Sequence, residues 1–169
     1  MSTNLASQFR RWLEYEKDAH ARVVESLRSV PVDRQGIAEY QKAVALLGHI
    51  AAARGVWLYR LGIAPKAPAQ LFPEKPELAV VVADLRSIEA AWSEYLDKAQ
   101  DADLSRTFEY QSLDAGRFRN RVEEILAQLF GHSSYHRGQI AMLVKAAGGK
   151  PAVTDFVYWC RESVPAGPA

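Results

Sequence analysis

The stretch KAVALLGHIAAARGVWLYRLGIAP, residues 42–65, constrains the fold more than any other part of the chain. Its apolar residues wrap most of a helix circumference, so a helix there must be surrounded by other helices. Lys42, Arg54 and Arg60 interrupt the run, which argues for a buried helix rather than a membrane span. Asp33 can cap this helix from about Arg34 to Leu61, and Gly62 followed by Pro65 supplies a glycine-then-proline stop.

Partners for it are legible on both sides. Residues 3–29 place Phe9, Leu13, His20, Val23 and Leu27 at helical spacing, with the polar Ser2, Thr3 and Asn4 available as caps and Pro31 beyond the end. The proline-rich GIAPKAPAQLFPEKP reads as a surface connection into a third helix that begins near Pro76 and presents Leu78, Val81, Leu85, Ile88, Trp92 and Tyr95. RTFEYQSLDAGRFRN alternates aromatic and polar residues around an Asp-Ala-Gly turn, the pattern of a short hairpin or irregular crossing. A fourth helix is expected from about Phe118 to Ala147, ended by Gly148 and Gly149, and a short terminal helix over about Thr154–Glu162. The expectation is an all-α four-helix bundle with long connections, residues 1–169 forming one domain.

Bulk properties narrow the function. With 21 basic and 20 acidic residues, the net charge of +1 offers no excess to follow a phosphate backbone or an anionic membrane, so neither nucleic acid nor membrane is expected as a partner. One cysteine, Cys160, cannot form an internal disulfide, and the first residues lack the apolar core of a signal peptide, so a cytoplasmic protein is expected. Cys160 itself reads as a small buried hydrophobe.

The stripe of the fourth helix runs Val122, Ile125, Leu129, His132, His136, Ile140, Leu143, which puts two histidines four residues apart at core positions. Buried imidazoles without partners cost about 1–3 kcal/mol each, and sharing a metal ion removes that cost. His49, on the stripe Ala45, His49, Ala52, Val56 of the second helix, is the candidate third ligand. Gly48, Gly131 and Gly138 lie close to these histidines, either so that helices approach closely or so that an ion stays accessible. Ser133 and Ser134 could offer hydroxyls behind the ligands. Glu16 and His20, four apart on the first helix, read either as a surface or core pair or as an outer partner or proton carrier of the site; Arg54 either reaches an anionic substrate or faces solvent.

The segments LLGHIAAARGVWLYRL and LFGHSSYHRGQIAMLVKAAGGKPAVTDFVYW resemble the DinB-like family of metal-binding four-helix bundles, related to bacterial thiol-dependent S-transferases. The resemblance rests on His49 followed by Trp57, Leu58 and Arg60, on His132, His136, Arg137, Gly138 and Gln139, and on Gly148 or Gly149, Pro151 and Asp155. Tyr135 stands where many members carry another histidine. The resemblance implies His49, His132 and His136 as the metal ligands, a divalent ion such as zinc or nickel, and a homodimer to which Trp12, Tyr15 and Trp92 either contribute or are simply core.

It also implies a metal-dependent enzyme that activates a low-molecular-weight thiol toward a small-molecule substrate, by S-transfer or isomerisation. Two alternatives stand beside it: a hydrolase that activates water and needs a base among Glu16, His20 or Asp155, and a non-enzymatic metal-binding stress protein.

Overall fold

The computed structural model describes residues 4–112 and 116–164. Four long helices pack together: α1 (Leu5–Arg28), α2 (Ala38–Arg60), α3 (Leu78–Lys98) and, after a short α4 (Asp101–Ser105) and a hairpin, α5 (Val122–Ala146). A last helix, α6 (Phe156–Cys160), has no buried residue. The mostly helical bundle with a hairpin before its last long helix is the expected architecture.

Several boundaries move for local reasons. Asp33 falls in a 3-10 turn, Val32–Arg34, and α2 begins only after Gly36 and Ile37, so Asp33 is not its cap. Pro76 lies two residues before α3 rather than in its first turn. Phe118 belongs to a strand: Thr107–Gln111 (β1) pairs antiparallel with Arg117–Arg121 (β2), Tyr110 opposite Phe118, and α5 starts where the ladder ends. Asp114 and Ala115 of the expected turn lie outside the described residues, as do Ser2 and Thr3; Asn4 caps α1, its side chain accepting from Ser7 N–H at 2.9 Å. The terminal helix is shorter than expected, and Cys160 is half-buried rather than buried.

The stops behave as read. Gly62, at φ +75°, lets Ile63 N–H reach Leu58 C=O at 2.9 Å, and Gly148, at φ +85°, lets Gly149 N–H reach Val144 C=O at 2.9 Å. Both are left-handed glycine closures that satisfy a carbonyl of the last helical turn.

Two apolar clusters fill the bundle. One joins Val23, Leu27, Leu47, Ile50, Leu85, Ile140 and Val144. The other joins Phe9, Leu13, Leu58, Trp92, Leu96, Leu126 and Leu129. Between them, at mid-height of the helices, lie Glu16, His20, Arg54, Ser133 and Arg137, all buried. Tyr15 and Trp92 are core residues, 9% and 1% exposed, so the reading of these two as dimer contacts gives way to packing. Trp12 is half-buried against Phe9 and Phe130.

The proline-rich connection after α2 is pressed onto that helix. A Cβ on Gly48 would meet Pro73 Cγ at 2.7 Å, and one on Gly55 would meet Pro68 Cγ at 2.8 Å. Gly131 and Gly138 have nothing within 4 Å of the corresponding position, so close packing does not explain them.

Candidate metal centre

Of the three expected ligands, α2 supplies His49 and α5 supplies His132 and His136, one turn apart. His132 Nε2 lies 3.1 Å from His49 Nε2 and 3.1 Å from His136 Nε2. The three ligand atoms all fall within 4.8 Å of one another. Ligands at about 2.0–2.1 Å around a tetrahedral ion stand about 3.3 Å apart, so the two short separations already match those of a shared ion.

Second partners fix which nitrogen each ring presents. His49 Nδ1–H donates to the Leu71 carbonyl at 2.8 Å, and His136 Nδ1–H donates to Gln139 Oε1 at 2.7 Å. Both rings therefore turn Nε2 lone pairs toward His132, an arrangement that a cation between them would satisfy. Phe72 stacks on the His49 ring at 4.3 Å, and Tyr135 meets His136 edge-on at 5.1 Å without joining the cluster.

The electrostatics favour neutral imidazoles. Burial holds His49 below the ordinary imidazole range, partly opposed by its bond to Leu71. His132 is pushed down to about 4, by burial first and then by His136, His49 and Arg54. Neutral rings are the metal-binding form. Among the described residues no carboxylate joins the cluster.

His132 and His136 are half-buried, and the true core line of α5 passes through Ser133 and Arg137 instead. Arg137 donates to Glu16 and, at 2.7 Å, to the Tyr15 hydroxyl, which in turn donates to the Thr154 carbonyl at 2.5 Å. Arg54, neither solvent-facing nor free for a substrate, donates to the other oxygen of Glu16 and to Ser133 Oγ at 3.1 Å. Glu16 thus ties both histidine-bearing helices to α1, with each arginine close in sequence to one of the three histidines. His20 completes this layer, 3.6 Å from Glu16 through Nε2 and 2.8 Å from Glu89 through Nδ1.

Glu16 and His20 are therefore a core pair, and Ser133 bonds an arginine rather than a ligand; Ser134 is exposed. Asp155 is exposed at the start of α6. Sequence reasoning missed Arg137 as a core residue, and it missed Glu89 altogether. The available signal was that Ser133 and Arg137 continue the Leu126, Leu129, Ile140, Val144 spacing, which residue type alone argues against.

No solved structure matches the chain. Protein DinB of Bacillus subtilis (strain 168) is 32% identical over 57 residues, a match that spans about a third of each protein, 34% of this chain and 33% of that one. The family model described as "DinB family" matches residues 1–163, nearly the full length over which the helices and the three histidines are laid out, and the chain belongs to that family.

Proposed function

We propose that the protein is a metal-dependent enzyme that activates a low-molecular-weight thiol for S-transfer or isomerisation on a small-molecule substrate. The observation that carries the reading is the convergence of three Nε2 atoms from two helices, two of them fixed in orientation by Leu71 and Gln139. His49, His132 and His136 would hold a divalent ion, zinc or nickel as the family resemblance implies, with a position left open because no fourth His, Cys, Asp or Glu of the described residues joins them. Such an ion supplies Lewis acidity that lowers the pKa of a bound thiol.

The chain contributes the surroundings. Two guanidinium groups face a single Glu16 carboxylate in the layer behind the histidines, which favours an anionic ligand over a neutral one at the open position. Phe72 offers an apolar wall beside His49. Water activation needs a base, and the candidates for it do not join the cluster: Glu16 and His20 are spent in the buried layer, and Asp155 is exposed on α6.

Elemental analysis of untagged protein should find near-stoichiometric metal that is lost in His132→Ala. Cobalt-loaded protein titrated with glutathione or cysteine should then develop a thiolate-to-metal charge-transfer band. Metal uptake without that band would turn the reading toward a metal-binding protein that does not activate thiols.

A further inference from the structure

A concavity elsewhere in the bundle shares no residue with the histidine cluster. It is a groove of about 690 Å³ between α1, α3 and residues 150–153, within the size range of small-molecule sites. Val82, Leu85 and Ala152 give it apolar walls. Five basic side chains line it against two acidic ones, Glu25 and Glu89. Arg28 pairs with Glu25 at 2.6 Å, and Lys17 and Arg22 pair with Glu14 and Asp18. Among the described residues, Arg86 and Lys150 are left with no ion pair.

Glu89 is the unusual member. Its side chain is 13% exposed, its Oε1 lies 2.8 Å from Nδ1 of the buried His20, and its second oxygen has no protein partner among the described residues. Burial pushes Glu89 up to about 7, so a large share of the protein carries it as a neutral carboxyl at neutral pH. A neutral carboxyl can share its proton with a ligand carboxylate, the pairing seen in carboxyl dyads.

We infer that this groove is a second small-molecule site, taking a free carboxylate with an apolar chain: Arg86, Lys150 and the free oxygen of Glu89 receive the carboxylate, and Val82, Leu85 and Ala152 cover the chain. The site stands apart from the thiol reading and does not depend on it.

Calorimetric titration of the full, zinc-treated chain with decanoate, below its micelle concentration, tests this. One decanoate should bind per chain. Ala21→Trp fills the groove from an exposed position on α1 and should weaken binding tenfold or more. Arg86→Glu with Lys150→Glu should weaken it by about tenfold. Protein stripped of zinc should bind as before, and a chain that takes up no zinc yet binds decanoate would leave this site standing while the metal reading falls. Absence of saturable binding, wild-type affinity in Ala21→Trp, or loss of binding on metal removal would overturn the inference. Co-sedimentation with phosphatidylglycerol vesicles without binding of free decanoate would do the same, assigning the face to a lipid surface.

Discussion

Glu16→Gln is the most informative single change in this bundle. It keeps the size and one acceptor oxygen of the side chain but removes the carboxylate that Arg54 and Arg137 share. The glutamate is 0% exposed and each arginine 3%, so solvent cannot take over the lost compensation. Breaking a buried ion pair by removing one partner costs about 3–5 kcal/mol. Set against a total stability of about 5–15 kcal/mol, that leaves a folded but marginal protein. For a chain of this length each kcal/mol moves Tm by about 2–4 °C, so the melting point should fall by about 6–20 °C. Urea unfolding followed by tryptophan fluorescence measures the free-energy loss, and a thermal scan the shift in Tm, since Trp92 is 1% exposed. Removing all three charges together, Glu16→Leu with Arg54→Met and Arg137→Leu, should recover more than half of the loss, because no uncompensated charge remains. A loss below about 1 kcal/mol in Glu16→Gln, or a triple replacement no more stable than it, would refute the view that this carboxylate compensates the buried guanidinium charge.

Three further outcomes follow from the candidate metal centre. Zinc at about a hundredfold excess over its dissociation constant should stabilise the wild type by about 2.7 kcal/mol, raising Tm by about 5–10 °C, and should leave His132→Ala unmoved in the same thermal scan. Gln139→Ala removes the acceptor that orients His136 and should weaken zinc binding about tenfold in a competition titration against a chromophoric chelator, with little change in the stability of metal-free protein. The pH response of metal-free protein follows from His132, whose folded pKa of about 4 lies below its ordinary 6.5. Its contribution to stability is complete above pH 6.5 and is lost as the pH falls toward 4, by about 1–2 kcal/mol once solvent screening of this half-buried ring is allowed for. Urea midpoints at pH 7 and pH 5 should show that decline, and His132→Ala should show less of it.

The helices were legible because their stops are chemical. Gly62 and Gly148 mark the ends of α2 and α5 in the sequence as they do in space, and the alternation around Tyr110 and Phe118 marked the hairpin. The histidines were legible as a set, since spacing of four places His132 and His136 on one face and the apolar run around His49 keeps that helix central. Periodicity erred by about one position on α5, drawing the core through the histidines when Ser133 and Arg137 occupy it. Residue type caused the error: an arginine becomes a core residue only when a distant carboxylate meets it, and Glu16, 121 positions away, is invisible to any local window. Glu89 escaped for the same reason, since its partner His20 lies 69 positions away. The start of α5 was misplaced because Phe118 suits a helix as well as a strand, and its pairing with Tyr110 decides the matter.

The close seat of the proline-rich connection on α2 reaches further than packing. Pro73 rests where Gly48 has only hydrogen, one residue before His49, and Leu71 in the same connection accepts the His49 Nδ1 proton. The side of the imidazole that is basic is therefore decided by a side chain that is missing. A methyl group at position 48 would lift the connection by a few tenths of an ångström or more, loosen the Leu71 carbonyl, and free the ring to exchange tautomers or swing outward. The presentation of the His49 ring thus depends on a residue that offers no donor atom, and a search restricted to side chains able to bind a metal would pass over it.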